Sequence, residues 1–308
     1  MILNHHIMPK TAIHQFLSAT RPRTYPIAIT SLGVGQSLAY RALGGFDGRQ
    51  WLVALLIIYT ALSLQILSNL ANDLGDGMRG TDQHRLVDSP TRLVGSGAVS
   101  SRQVWAWLMA WLVQTMFVGG LLIWLSLSNL KEILLFFGLG AVSIFAAIGY
   151  TMGKKPYGYQ ALGELAVLMF FGFVAVLGGY WLQVGKTETH HFVIATGVGL
   201  MSACVLYINN LRDITSDKIS GKLTLAIVLG KYQIVGYFVL LLLAMLCYVC
   251  HLLAFAQGAW VLILATPLLV RHIYAVHKHR TNPVRLGREL GVIVSILVLM
   301  NGLIIIYL

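Results

Sequence analysis

Residues 51–75 read WLVALLIIYTALSLQILSNLANDLG. The stretch holds no Lys or Arg, and its single acid, Asp73, stands at its far end. About 20 consecutive apolar residues suffice to cross a hydrocarbon core, so the stretch reads as a membrane-spanning helix that finishes in polar chemistry. The 308-residue chain agrees with it: 57% of residues are hydrophobic, 11% are charged and the mean hydropathy is +0.76. An ordinary globular domain carries about 25% charged residues because its surface faces water. A soluble protein is therefore excluded. The net charge of +11 and pI near 9.7 would suit a nucleic-acid binder, but so few charges spread among long apolar runs do not make a nucleic-acid surface.

Working outward, eight further stretches resemble 51–75, giving nine expected spans: 24–42, 51–75, 104–126, 132–152, 161–183, 191–211, 232–254, 257–276 and 289–308. The expected fold is all-α, a single polytopic domain over 1–308, with 1–23 as a short amphipathic lead-in. That lead-in has no continuous apolar core and does not read as a signal peptide. With alternating connections, only Arg41, Arg49, Lys131 and Lys186 fall on one side, leaving 18 of the 22 Lys and Arg on the other. The positive-inside rule makes the richer side cytoplasmic, with the N-terminus inside and the C-terminus outside. Most acids share that side, which the rule does not require.

Two of the cytoplasmic span ends repeat a pattern. Asn72 and Asp76 recur 137 residues later as Asn209 and Asp213, each an Asn four residues before an Asp. On a helix i and i+4 share a face, so Asn72 and Asp76 form one stripe and Asn209, Asp213 and Asp217 another, if the second helix runs that far. Asp82 follows the first stripe after Gly77 and Gly80. A lone acid here, such as Asp88 or Glu289, reads as a partner for a nearby Arg or Lys. The paired repeat does not, because clustered carboxylates beside lipid need compensation. Mg²⁺ takes hard oxygen ligands and commonly bridges protein carboxylates to phosphates. Asn72, Asp76, Asn209, Asp213 and Asp217 are thus the expected metal ligands, and Arg79, Lys154, Lys155, Arg212 and Lys222 the expected partners of a diphosphate. A cation-coupled transporter also uses acids in repeated halves, but near the bilayer midplane rather than at helix ends.

The segments RPRTYP (21–26), LQILSNLAND (64–73), YTMGKKPYGY (150–159), NNLRDITSD (209–217) and GKLTL (221–225) resemble the UbiA superfamily of intramembrane prenyltransferases nearly end to end. Within it they are most similar to the branch that prenylates 1,4-dihydroxy-2-naphthoate. The resemblance implies nine helices around a cavity open to the cytoplasm, in a bacterial inner membrane. It also implies Mg²⁺-dependent transfer from polyprenyl diphosphate to the naphthoate with loss of CO₂ and diphosphate, giving demethylmenaquinone. Other acceptors, such as 4-hydroxybenzoate or homogentisate, stay open. Asn69 and Asn210 are then further substrate contacts, Tyr150 and Tyr157 offer ring faces to an allylic cation, and Asp73 or Asp82 orients the acceptor. Gly172, Gly178 and Gly179 would leave a gap for the prenyl tail. The spacing from Asp76 to Asp82 is longer than the common superfamily form, and Glu164 stands where Asp is frequent.

Three weaker signals are set aside. Cys247, Cys250 and His251 match a haem-attachment pattern but lie inside an apolar span. The His pairs at 5–6 and 190–191 read as solvated or interfacial, with no acidic partner at metal spacing. The glycine pairs Gly33/Gly35, Gly138/Gly140 and Gly197/Gly199 read as helix-packing faces.

Overall fold

The computed structural model describes residues 12–80, 93–255 and 259–307. Asp82, Asp88 and the pair His5–His6 lie outside the described residues. Those described form helices joined by short turns, with one isolated bridge, Gln160 to Leu223, and no strand. In chain order the helices are α1 (Ala12–Thr20), α2 (Tyr25–Leu43), α3 (Gly48–Met78), α4 (Ser101–Ser126) and α5 (Leu130–Gly149). A continuous span follows, made of α6 (Gly163–Val167), a π-helical run (Leu168–Gly178) and α7 (Gly179–Val184). Then come α8 (His191–Arg212), α9 (Ile214–Ile219), α10 (Leu225–Leu229), α11 (Gln233–Phe255), α12 (Thr266–Lys278) and α13 (Pro283–Tyr307).

Local chemistry sets the ends. Asp47 accepts from Gln50 N while the Gln50 side chain accepts from Asp47 N, a reciprocal cap that starts α3. Ser100 and Asn129 cap α4 and α5 more simply, each side chain accepting one backbone N–H, from Gln103 and Lys131. Gly44, at φ 70°, closes α2 in the left-handed region that glycine adopts without strain.

Seven helical stretches among the described residues are long and apolar enough to cross a membrane, so the expected count of nine is not reproduced. The two remaining expected spans are helical but differ in kind. Residues 24–42 are α2, which carries Gln36, Ser37 and Arg41 among its apolar positions. The described part of 257–276 divides into a 3₁₀ run, Ala259–Ala265, and α12, which has Pro267 in its first turn and Arg271 and His272 in its interior.

The centre of the bundle is α8, with 72% of its most apolar window buried against 11% for α5. Side-chain-free contacts bring the π-helical run onto it. A Cβ at Gly172 would stand 2.5 Å from the Ala195 carbonyl oxygen, and one at Gly199 would stand 2.7 Å from that of Leu168. Gly172 is therefore a packing contact and leaves no gap there. Gly197 and Gly199 behave as the packing face expected of them, whereas Gly138 and Gly140 meet nothing within 4 Å.

A polar network fastens α11, α12 and α13. Tyr237 Oη lies 2.6 Å from His272 Nε2, and His272 Nδ1 lies 2.7 Å from Glu289 Oε2. Arg271 Nη1 reaches the same carboxylate at 2.8 Å. His272 and Glu289 are 0% and 3% exposed, so Glu289 is the paired acid expected of it, inside the bundle rather than in a loop. Removing one member of a buried pair strands the other, at a cost of about 3 kcal/mol. Glu289→Ala is expected to lower the apparent Tm of the protein in detergent clearly, with Glu289→Gln intermediate. Unchanged melting of Glu289→Ala would refute the network's role.

Candidate active site

The two repeated motifs meet at one end of the bundle. The α3 end is held by the turn after α5: Thr151 Oγ1 donates to Ala71 O at 3.1 Å and to Asn72 Oδ1 at 3.0 Å. Gly75 makes this possible, since a Cβ there would lie 2.8 Å from the Thr151 carbonyl oxygen. The helix does break after Arg212, yet the i to i+4 hydrogen bonds continue across the junction. Asp213 N donates to Asn209 O and Asp217 N donates to Asp213 O, at 3.1 and 2.9 Å. The backbone spacing of Asn209, Asp213 and Asp217 is therefore kept through the break, although of the three only Asn209 lines the cavity.

The carboxylates are buried and partnered. Arg212 grips Asp213 through both oxygens, Nε to Oδ1 at 2.7 Å and Nη2 to Oδ2 at 2.6 Å, and also donates to Asn209 Oδ1. Such a fork is the strong form of this pair. Lys222 Nζ stands 3.8 Å from Asp217 Oδ1. Asp76 accepts from the Tyr159 hydroxyl at 2.9 Å, and the Arg79 guanidinium and Lys222 Nζ each lie over the Tyr159 ring, 5.4 and 5.9 Å from its centre. Tyr159 thus joins the first motif to the second. The bridge between Gln160 and Leu223, with Ala161 N donating to Leu223 O at 2.8 Å, sets the two segments side by side. Asp73 accepts from Leu93 N.

A cavity of about 1800 Å³ opens from these groups. Asn69, Asn72, Asp73, Asp76, Asn209, Arg212 and Lys222 line its polar end, with Tyr150 and Tyr157 beside them, and it runs to Leu122, Ile123 and Leu182. Tyr150 and Tyr157 pack edge to face, centroids 5.3 Å apart. The Tyr157 hydroxyl donates to Ala146 O, and burial pushes its pKa up to about 12, so it stays protonated. Gly178 and Gly179 also line the cavity.

Several expected residues are placed differently. Lys154 and Lys155 are exposed and stand outside the cavity lining. Arg79 is exposed and donates to the Gly153 carbonyl. Asn210 is buried with its amide donating to Glu164 Oε1 at 2.8 Å, also outside the lining. A neighbour on a helix points about 100° away, so Asn210 cannot share the face of Asn209. Sequence reasoning passed over Tyr159, whose signal was its place in the quoted YTMGKKPYGY segment. It also passed over Arg21, Arg23 and Arg288, which line the cavity.

The fold and these groups define an intramembrane site in which acids and bases converge at the polar end of an apolar chamber. The chain belongs to the UbiA prenyltransferase family, which it matches over residues 27–288. It is 41% identical over 261 residues to the 1,4-dihydroxy-2-naphthoate octaprenyltransferase of Haemophilus influenzae, covering 83% of each chain. It is 38% identical to that of Mycobacterium tuberculosis, covering 89% of this chain and 87% of the relative. In fold it resembles a UbiA homolog from Aeropyrum pernix K1 (TM-score 0.65, 19% identity, 92% of this chain and 97% of that one). It also resembles one from Archaeoglobus fulgidus bound to GPP and Mg²⁺ (TM-score 0.63, 14% identity, 94% and 99%).

The placement of Asn210 has a direct check. Glu164 is 5% exposed, and a buried carboxylate that loses a donor is destabilised by about 1.5–3 kcal/mol. Asn210→Ala is expected to lower thermal stability by that amount, and adding Glu164→Gln to recover part of it. A variant that melts like the parent and loses only substrate affinity would restore the substrate-contact reading.

Proposed function

We propose that the protein transfers a polyprenyl group from polyprenyl diphosphate to 1,4-dihydroxy-2-naphthoate, releasing diphosphate and CO₂. The observation that carries the acceptor is the 37–41% identity to four 1,4-dihydroxy-2-naphthoate octaprenyltransferases over 83–89% of this chain. The site supports the reaction class, because a diphosphate needs cations and oxygen donors where its prenyl tail needs an apolar channel. The protein is a single domain whose carboxylate end faces the cytoplasm of a bacterial inner membrane, in keeping with the 18-to-4 distribution of basic residues.

The donor chemistry fits Mg²⁺. Asn72, Asp76 and Asn209 line the cavity, and Asp213 and Asp217 are buried outside its lining, four and eight residues on from Asn209; all five carry oxygen donors of the kind this ion takes. When bound, Mg²⁺ supplies Lewis-acid stabilisation of the leaving diphosphate. Arg212 and Lys222 line the cavity and add fixed positive charge where negative charge develops. The C–O bond of the allylic diphosphate breaks and its electron pair leaves with diphosphate. The ring carbon bearing the carboxylate bonds to the allylic carbon, and loss of CO₂ returns an electron pair to the ring. The product is demethylmenaquinol, the reduced form of demethylmenaquinone. Tyr150 and Tyr157 present ring faces to the cation, and the apolar wall keeps water from it. Asp73, fixed by Leu93 N, is placed to orient an acceptor hydroxyl.

Membranes containing the protein, given labelled polyprenyl diphosphate and a panel of aromatic acids, are expected to form lipid-soluble product with the naphthoate only when Mg²⁺ is present. Product with 4-hydroxybenzoate and none with the naphthoate would overturn the acceptor. Asp76→Ala and Asp213→Ala are each expected to reduce turnover by about 10²-fold or more, and normal activity in either would remove the metal-site argument. Tyr159→Phe keeps the ring but removes the hydrogen bond to Asp76. A loss of about 1.4 kcal/mol corresponds to tenfold in rate, and we expect a loss of that order, with a raised Mg²⁺ requirement. Parental kinetics would show that the contact does not serve the site.

A further inference from the structure

The opposite end of α8 carries a second cluster. The turn between α7 and α8 brings Glu188, His190 and His191 together, with one ligand atom from each within 4.8 Å of the others. The sequence reading of His190 and His191 as solvated or interfacial without an acidic partner is corrected for the partner, which is Glu188, and for His191, which is buried. His191 is 4% exposed, packed edge-on against Tyr180 and His190 with centroids 4.5 and 4.3 Å away. Glu188 Oε2 lies 3.4 Å from His190 Nδ1.

The burial of His191 points to a ligand. Its Nδ1 is buried and has no hydrogen-bond partner among the described residues. A buried polar atom left in that condition costs about 1–3 kcal/mol, which a metal–nitrogen bond would offset. Glu188 and His190 are 45% and 32% exposed, so an ion has a route in from water to a ligand set whose third member is inside the protein. His251 of α11, 1% exposed, lies within electrostatic range of both imidazoles. Two imidazole nitrogens and one carboxylate oxygen form a borderline donor set that suits zinc and its neighbours and leaves a fourth position open. Mg²⁺, which the oxygen-rich far end suits, has no comparable preference for it.

We propose that Glu188, His190 and His191 form a second metal site, binding Zn²⁺ or a chemically similar divalent transition ion. From His191 to Asn209 the helix rises about 27 Å, so this site and the proposed prenyl-transfer site are separate. A bound ion would join the α7–α8 turn to the first residue of the central helix.

The test uses purified protein in detergent with excess Mg²⁺, so that the oxygen-rich end does not compete for the probe. Equilibrium dialysis against Zn²⁺ is expected to show equimolar binding, and Co²⁺ substitution to give the visible absorption of a low-coordinate nitrogen–oxygen site. Glu188→Gln and His190→Ala change partly exposed residues, and each is expected to weaken Zn²⁺ binding by about tenfold or more. The double variant is expected to lose it while retaining its melting profile and its prenyl transfer. Undiminished Zn²⁺ binding by the double variant would overturn the assignment, as would the absence of bound Zn²⁺ in the parent protein. Either result leaves the prenyl-transfer reading untouched, because the Zn²⁺ readout does not depend on turnover.

Discussion

Everything at the polar end of this bundle follows from the need to keep carboxylates inside an apolar structure. Asp73, Asp76, Asp213 and Asp217 are at most 3% exposed, and a bare carboxylate there would cost several kcal/mol. The compensation is specific: a two-pronged Arg212 on Asp213, Lys222 near Asp217, the Tyr159 hydroxyl on Asp76 and a backbone amide on Asp73. Buried ion pairs add little net stability, since desolvation consumes most of the attraction. Their use here lies in availability, because Arg212 and Lys222 also line the cavity. They face both the protein's acids and any phosphate that enters.

The fold serves that constraint through close backbone contacts. Gly75 lets the first motif rest on Thr151, and Gly172 against Gly199 lets the π-helical run lie directly on α8. With α8 mostly buried, its last turn and the junction into α9 form a platform for the second motif. The proposed prenyl transfer needs such a platform and needs water kept away. The apolar spans supply the second requirement because they already face lipid.

Much of this was legible in the sequence, for physical reasons. Long apolar runs name spans directly, and an i to i+4 pair names a helix face, so the stripes of Asn72/Asp76 and Asn209/Asp213/Asp217 could be read without coordinates. Where the reading failed, the cause was geometry beyond local spacing. Asn210 was grouped with Asn209 although adjacent helical residues diverge. Lys154 and Lys155 were grouped with the site by proximity in sequence, but they point to the exterior. Tyr159 meets Lys222 only because two turns distant in sequence pair at Gln160 and Leu223, and no local pattern announces that. The eighth expected span was counted from apolar content, which does not register how Pro267, Arg271 and His272 break and polarise it.

The repeat itself gains meaning from how its halves are partnered. Motif one rests on neighbours from other segments: Thr151 on Asn72, Leu93 N on Asp73 and Tyr159 on Asp76. Motif two carries cations within its own segment, Arg212 beside Asp213 and Lys222 five residues after Asp217. The halves are therefore alike in ligand spacing but not in what they bring to an anion. In the proposed function, the equivalent oxygen donors on two helix ends would hold a divalent ion, and the basic residues of the second half would bias the phosphate toward α8. Tyr159 is the piece that makes the asymmetry work, since its hydroxyl belongs to the first half and its ring faces the Lys222 ammonium of the second. The proposed diphosphate site uses both features, oxygen donors on two helix ends and positive charge concentrated on one wall.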